Sequence, residues 1–407
     1  MKREHAVRRS SEVDRRRVVV LDHCARLSGG EIALARLLNA LGGLDVHVIL
    51  GEDGPLAARL ERAGATVEIL PLAASAGAVE RTRVTLRRMP WRSAAATAAH
   101  VRLLSRRLRE LRPDVVHTNS LKSGIYGGLA ARLAGVPQVW HVRDRLAPDY
   151  LPGQAATLIR AMLAVLPAAV VANSRATLAT LGRRVAARPT SHVIYEAYRP
   201  ARPPAPRPDG FTVGLVGRMA PWKGQLLFLD AFARLAAEAP DARAVLIGSA
   251  MFGEDAYEAE VKRRAAEFDL EGKVAVLGFC DDVEAELAGL AVLVHASTIP
   301  EPFGQVVLEG LAAGLPVVAP DDGGPAEIIA DGRSGLLYRR SDIPALHRAL
   351  RRLYLDDDLR ERLAAGALAR AADFAPEVIA GRMREVYDQV AGGTSTAAGP
   401  MSSVTAR

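Results

Sequence analysis

Cysteine is nearly missing: of 407 residues only Cys24 and Cys280 carry a thiol. Two distant thiols cannot staple a small fold, so no disulfide framework is expected and a reducing cytoplasm is the expected compartment. Cys24 reads as a small packing residue rather than a nucleophile. Nowhere does an apolar run approach the ~20 residues that a spanning helix requires. The opening residues 1–16 are basic and polar, and the apolar run at 18–21 stops at Asp22, too short for a signal peptide. Histidine and cysteine are not clustered. The triple Asp356-Asp357-Asp358 falls between helical segments, where aspartate commonly caps, so no metal site and no cofactor are expected. An RNA- or DNA-binding signature is also missing, although the formal charge is +7 and the pI about 9.7. Nucleic acid is therefore not expected as a partner.

What is present points to a sizeable α/β protein. Apolar residues make up 49% of 407 positions, enough for two cores of ordinary size and too many for general disorder. Short apolar runs at 17–21, 46–50, 67–70, 115–117, 138–141 and 168–172 read as strands, with helical stretches at 31–40, 55–63 and 124–134. Five prolines in residues 200–210 then rule out helix or central strand and mark an extended connector. The alternation restarts with strands at 211–216, 244–247, 274–277, 291–294 and 316–319, and from 343 to 390 the pattern is helical. The expected organisation is a basic arm at 1–16, an α/β domain at 17–199, a linker at 200–210, a second α/β domain at 211–375, a last helix at 376–391 and a tail at 392–407. Both domains should hold mostly parallel, doubly wound sheets.

Arginines crowd residues 81–112. There Val101, Leu104 and Leu108 share one helical face while Arg102, Arg106 and Arg109 lie mostly off it. Such a basic amphipathic helix packs on its own domain or attaches reversibly to anionic lipid.

Two motifs carry chemistry. Glu301-Pro302-Phe303-Gly304-Gln305-Val306-Val307-Leu308-Glu309 follows a strand-like run and leads into an apolar helix expected to begin near Phe303. Eight residues at about 1.5 Å rise would set the two carboxylates roughly 12 Å apart along the axis, too far to share one bond as an acid and base. Taken alone, the two are either ordinary features, Glu301 favouring the helix dipole and Glu309 on a solvated face, or two anchors on one elongated ligand such as a nucleotide-sugar, with its diphosphate passing the amides near Gly304. The second motif runs from Gly214 through Gly217 and Arg218 to Lys223 and Gly224, between a strand and a helix bearing Phe228, Phe232 and Leu235. Arg218 is a planar fork for phosphate oxygens and Lys223 a point charge for the same group.

Together these residues resemble the retaining glycosyltransferases of family 4, whose fold is GT-B. The match is to a Glu-seven-residues-Glu signature and a Gly-Arg then Lys-Gly diphosphate loop. Ser28-Gly29-Gly30 resembles the family's first glycine loop, and Gly323-Gly324-Pro325 its C-terminal pattern. His117-Thr118-Asn119-Ser120, His141-Val142-Arg143-Asp144 and Ala172-Asn173-Ser174 resemble its strand ends.

The resemblance implies a UDP- or GDP-linked sugar donor and a cleft between two Rossmann-like domains, with a C-terminal helix crossing back to the first. It implies His141 facing the donor sugar, Glu301 on the transferred hexose and Glu309 on the ribose. Gly29, Gly30, Gly217, Phe303, Gly304 and Gln305 would line the donor, with Arg218 and Lys223 on the diphosphate. His141, Glu301, Arg218 and Lys223 would then be the catalytic set. It further implies retention of anomeric configuration, no metal ion, and a sugar, lipid-linked or small-molecule acceptor. The expected location is the cytoplasm, with peripheral contact at the inner membrane face if the basic helix binds anionic lipid.

One departure stands out. Where relatives carry Asn-Gly, this chain reads Tyr195-Glu196-Ala197, a change expected to bear on hinge geometry more than on chemistry. Two other classes compete with sugar transfer. A GT-B-fold nucleotide-sugar 2-epimerase would need acid/base carboxylates and another phosphate pattern, and a non-catalytic polyanion- or membrane-binding protein would show salt-sensitive binding without turnover.

Overall fold

The computed structural model describes residues 15–71, 91–148, 151–204, 210–251, 253–267 and 269–392. Nearly all of the basic arm, most of the arginine-rich stretch before Trp91, the centre of the proline-rich linker and the tail after 392 lie outside the described residues.

The chain divides into two compact units. The first holds a parallel sheet of seven strands: β1 (Arg17–Asp22), β2 (Asp45–Leu50), β3 (Thr66–Ile69), β4 (Val115–Thr118), β5 (Gln138–Val142), β6 (Ala169–Ala172) and β7 (Ser191–Val193). Their order is β3-β2-β1-β4-β5-β6-β7. The sequence shows why β1 is central. Successive residues of a strand face opposite sides, and Val18 and Val20 enter one core cluster while Val19 and Leu21 enter another. Both faces are therefore covered, and the run is apolar throughout rather than alternating.

The second unit repeats the plan with β8 (Thr212–Val216), β9 (Arg243–Ile247), β10 (Val274–Gly278), β11 (Val292–Val294), β12 (Val317–Pro320) and β13 (Gly335–Tyr338), ordered β10-β9-β8-β11-β12-β13. Phe228, Phe232 and Leu235, on the helix Gln225–Glu238, enter its core as their spacing predicts. In both sheets the winding reverses, between β1 and β4 and between β8 and β11. Open α/β sheets bind ligands outside the carboxyl ends of strands at such a reversal.

The last helix, Pro376–Ala391, belongs to the first unit. Its Ile379, Met383, Val386 and Tyr387 pack with Leu34 and Val48, so a segment remote in sequence completes that core. The basic amphipathic helix is Trp91–Leu111, and its Val101, Leu104 and Leu108 are buried beneath it against Val19 and Leu21. Its apolar stripe is thus occupied by its own unit, leaving Arg102, Arg106 and Arg109 outward. Asp356 caps the helix Asp357–Ala371, its side chain accepting from the Leu359 amide at 2.8 Å. None of the described helices is long and apolar enough to cross a membrane.

Two expectations need correction. The helix after Glu301 runs Gln305–Ala312, not from Phe303, because Gly304 sits at φ +99° and stops the helical turn from reaching back. β7 and β13 were not foreseen as strands; they are short, and each lies at one end of its sheet.

Candidate functional site

In the second unit the reversal brings the ends of β8 and β11 together. Gly217 follows β8 and donates its amide to Ile247 at 2.9 Å, and the Met219 amide donates to Ser249 at 3.0 Å. Gln225 Nε2 donates to the Arg218 carbonyl at 2.9 Å, fixing the loop from inside. A single 3₁₀ turn, Pro221–Lys223, then leads to Gly224. Only glycine fits there: its φ is +75°, and a Cβ would lie 2.0 Å from the Ala296 carbonyl oxygen. That close approach, with the Thr298 amide donating to the Trp222 carbonyl at 2.8 Å, sets the cationic loop against the end of β11.

The result is a cluster around Glu301. Lys223 Nζ donates to both carboxylate oxygens, at 2.7 and 2.9 Å. Ser297 Oγ and His295 Nε2 each reach Glu301 Oε2 at 2.8 Å. Burial pushes the Glu301 carboxyl up, but Lys223 and His295 outweigh it and hold the group well below the usual carboxylate range. Trp222 lies beneath both cations, its ring 4.4 Å from Lys223 Nζ and 5.7 Å from the Arg218 guanidinium carbon. Arg218 also approaches Glu254 at 3.6 Å. On the other side Gly323 and Gly324 press on the same turn, and the Gly324 amide donates to the Glu301 carbonyl at 2.9 Å. A Cβ on Gly324 would come within 2.3 Å of the Phe303 oxygen. The helix Gln305–Ala312 starts at Gly304 with no side-chain cap, and Glu309 is half-buried on it. Four residues of rise separate Gln305 from Glu309, about 6 Å.

In the first unit the equivalent reversal gathers Asp22, Asn119, His141 and Arg143. Asn119 Nδ2 donates to Asp22 Oδ2 at 2.7 Å and reaches the Gly30 carbonyl at 3.3 Å. Arg143 Nε donates to Asn119 Oδ1 at 2.8 Å, Nη1 pairs with Glu196, and Nη2 lies 3.3 Å from His141 Nδ1. Gly29 and Gly30 open the helix Gly29–Ala40 beside this network. His141 and His117 are both fully buried, their rings 5.4 Å apart. Burial, then the Arg143 charge, lowers both imidazoles, His117 to about 3 and His141 well below its ordinary value. Both are neutral at physiological pH. His117 Nδ1 lies 2.7 Å from the Tyr387 hydroxyl of the last helix.

Lys223 and Glu301 meet directly, Arg218 shares the Trp222 ring with Lys223, and Gln305 and Glu309 lie on the helix that follows. Gly217, Arg218, Lys223, Glu301, Phe303, Gly304, Gln305 and Glu309 belong to one unit, and Gly29, Gly30 and His141 to the other. Sequence reading missed Trp222, His295 and Ser297. The signal for the last two was there, since His295 and Ser297 are same-side positions at a strand end shortly before Glu301. Glu196, singled out in the sequence for the approach to the linker, is also a buried partner of Arg143. Among the described residues no group of three or more His, Cys, Asp or Glu could hold a metal ion.

Comparison with known proteins places these features in context. The profile described as Glycosyltransferase Family 4 matches residues 27–202, and that described as Glycosyl transferases group 1 matches residues 201–370. The chain is 34% identical over 305 residues to the D-inositol 3-phosphate glycosyltransferase of Nocardioides sp., spanning 67% of either chain. It is 32% identical over 187 residues to the phosphatidyl-myo-inositol mannosyltransferase of Mycolicibacterium smegmatis, spanning 45% of this chain and 46% of that one. Among solved structures, Anabaena HepE in complex with UDP and glucose superposes with a TM-score of 0.76 at 26% identity, over 90% of this chain and 98% of HepE.

Proposed function

The chain belongs to glycosyltransferase family 4, the glycosyl transferases of group 1, and carries the GT-B fold; on that footing we propose that it moves a hexosyl group from a nucleoside diphosphate sugar, UDP- or GDP-linked, to an acceptor hydroxyl, with retention of anomeric configuration and without a metal ion. The observation that carries this reading is the pair of cations, Arg218 and Lys223, in one strand-to-helix loop whose lysine meets Glu301 at 2.7 Å. A diphosphate laid on that loop would draw on Arg218, Lys223 and the amides at the start of the helix Gln305–Ala312. Glu301 would then take hydroxyls of the hexose and Glu309 those of the ribose. The complex of HepE with UDP and glucose, at 26% identity, supports the donor class.

In the transfer the bond from the anomeric carbon to the diphosphate oxygen breaks, the acceptor oxygen bonds to that carbon, and its proton leaves to the departing phosphate. Charge developing on the diphosphate is met by fixed cations and amides, which is preorganised electrostatic stabilisation. His141, neutral and buried, would hydrogen-bond the sugar near the reacting carbon. We place the enzyme in the cytoplasm, with the exposed Arg102 and Arg106 open to contact with anionic lipid. The acceptor class is a hydroxyl on a sugar, a lipid-linked glycan or a small molecule.

The test is proton NMR of reactions containing UDP- and GDP-hexoses with hydroxyl acceptors, with and without EDTA. The expected product keeps the donor's anomeric configuration, and its rate is unchanged by EDTA. An inverted product, loss of activity on chelation restored by a divalent cation, or epimerised donor in the absence of acceptor would each contradict the proposal.

A further inference from the structure

Glu196 is only 4% exposed, beside an Arg143 that is 8% exposed. The guanidinium has donors in a rigid fork and no acceptor. Three of its directions are engaged, by Asn119, by Glu196 and by Nδ1 of His141. A group that can only donate forces Nδ1 of His141 to accept, and in a neutral imidazole the proton then resides on Nε2. Among the described residues that Nε2 has no hydrogen-bond partner, although His141 is 1% exposed. A buried N–H without an acceptor is costly to maintain, and an oxygen of a bound ligand would supply one.

We propose that Glu196 is a positioning residue for sugar transfer: its ion pair holds Arg143 against His141 Nδ1, so that His141 presents Nε2–H as a donor to an oxygen of the bound donor sugar. The proposal rests on the reading that His141 faces that sugar. Glu196 itself touches neither substrate nor reacting atoms. Arg143 also packs where a Cβ on Gly30 would stand, 3.4 Å from its Cδ, so one guanidinium spans the histidine and the glycine loop. Asn119 ties the same arginine to Asp22 at the end of β1, which anchors the guanidinium from one side only. With Glu196 neutralised, the fork keeps Asn119 and loses the restraint that aims Nη2.

The experiment combines a structural and a kinetic readout on the full chain. Nitrogen-15 NMR of the histidine rings in the ligand-free protein, with the His141 signals assigned by their loss in His141→Asn, reports the tautomer directly. Wild type is expected to show an unprotonated Nδ1 and a protonated Nε2, Glu196→Asp to retain that pattern, and Glu196→Gln to average the two tautomers. In transfer assays Glu196→Gln is expected to lower kcat by about tenfold or more with donor KM within about twofold of wild type, while Glu196→Asp recovers most of kcat. A protonated Nδ1 in wild type, or Glu196→Gln with wild-type tautomer and kcat, overturns the proposal. The tautomer readout needs no turnover, and wild-type kcat in His141→Asn would instead refute the reading of His141, so the two failures are distinguishable.

Discussion

Lys223 gives two of its three donors to Glu301, so engaging a phosphate means sharing them or trading them. His295 and Ser297 keep the carboxylate hydrogen-bonded if the lysine turns away. The two therefore work as a unit whose cation can move without stranding a buried charge. Arg218→Ala and Lys223→Ala are each expected to reduce kcat by about 10² to 10³, measured as nucleoside diphosphate release, with the circular dichroism spectrum of wild type. Rates equal to wild type would remove these residues from the diphosphate site. Arg218, Lys223 and Glu301 were legible in the sequence because each stands just past a strand-like run, the two cations in one strand-to-helix loop and the carboxylate at the next strand end. Trp222 and Glu196 were not. Trp222 reads as one apolar residue in a turn until its ring is seen under two cations, and Glu196 acquires meaning only through a residue 53 positions away.

Elements were legible where the apolar period was long. β1, β4 and β5 lie close to their expected positions, because strands buried on both faces leave an uninterrupted apolar run. Edges were harder. β7 is three residues long, Ser191–Val193, and half-exposed, so its pattern carries little signal. The start of the helix Gln305–Ala312 was misplaced because the backbone at Gly304 is left-handed, a fact no periodicity encodes. The last helix illustrates the opposite case: Pro at its first position and apolar spacing at 379, 383 and 386 announce both its start and its buried face. Its hydroxyl anchor can be tested. Tyr387→Phe removes the group 2.7 Å from His117 Nδ1 and is expected to cost about 1 to 2 kcal/mol in urea unfolding. An unfolding midpoint matching wild type would show that the buried pair adds nothing to the docking of this helix.

At the scale of the whole molecule, two parallel sheets with the same reversal bring the candidate residues of each unit to the ends of that unit's own strands. That architecture was readable from the alternation of runs and the proline-rich break, since parallel pairing demands a helical crossover. Stability should carry the mark of the buried histidines. His117, held at about 3, and His141, lowered by burial and Arg143, stay neutral in the folded protein. The unfolded chain takes up protons on them below about pH 6.5, so both destabilise the fold as pH falls, His117 by roughly 1.4 kcal/mol for each pH unit between about 6.5 and its folded value of about 3. Glu301 has the opposite sign: its depressed carboxyl stabilises the fold above the unfolded value of about 4.3 and is lost only in stronger acid. Urea unfolding should therefore show a lower midpoint at pH 5.0 than at pH 7.5, and equal midpoints would contradict the neutral, buried state of these histidines.

The proposed function requires a nucleoside diphosphate to bind the loop carrying Arg218 and Lys223. Calorimetric titration of the wild-type protein with UDP, GDP and the matching nucleosides tests it most directly. Saturable 1:1 binding of at least one diphosphate is expected, with its nucleoside weaker by about tenfold or more, the fork and the ammonium supplying the difference. Silence toward both diphosphates, or a nucleoside binding as tightly as its diphosphate, would contradict it.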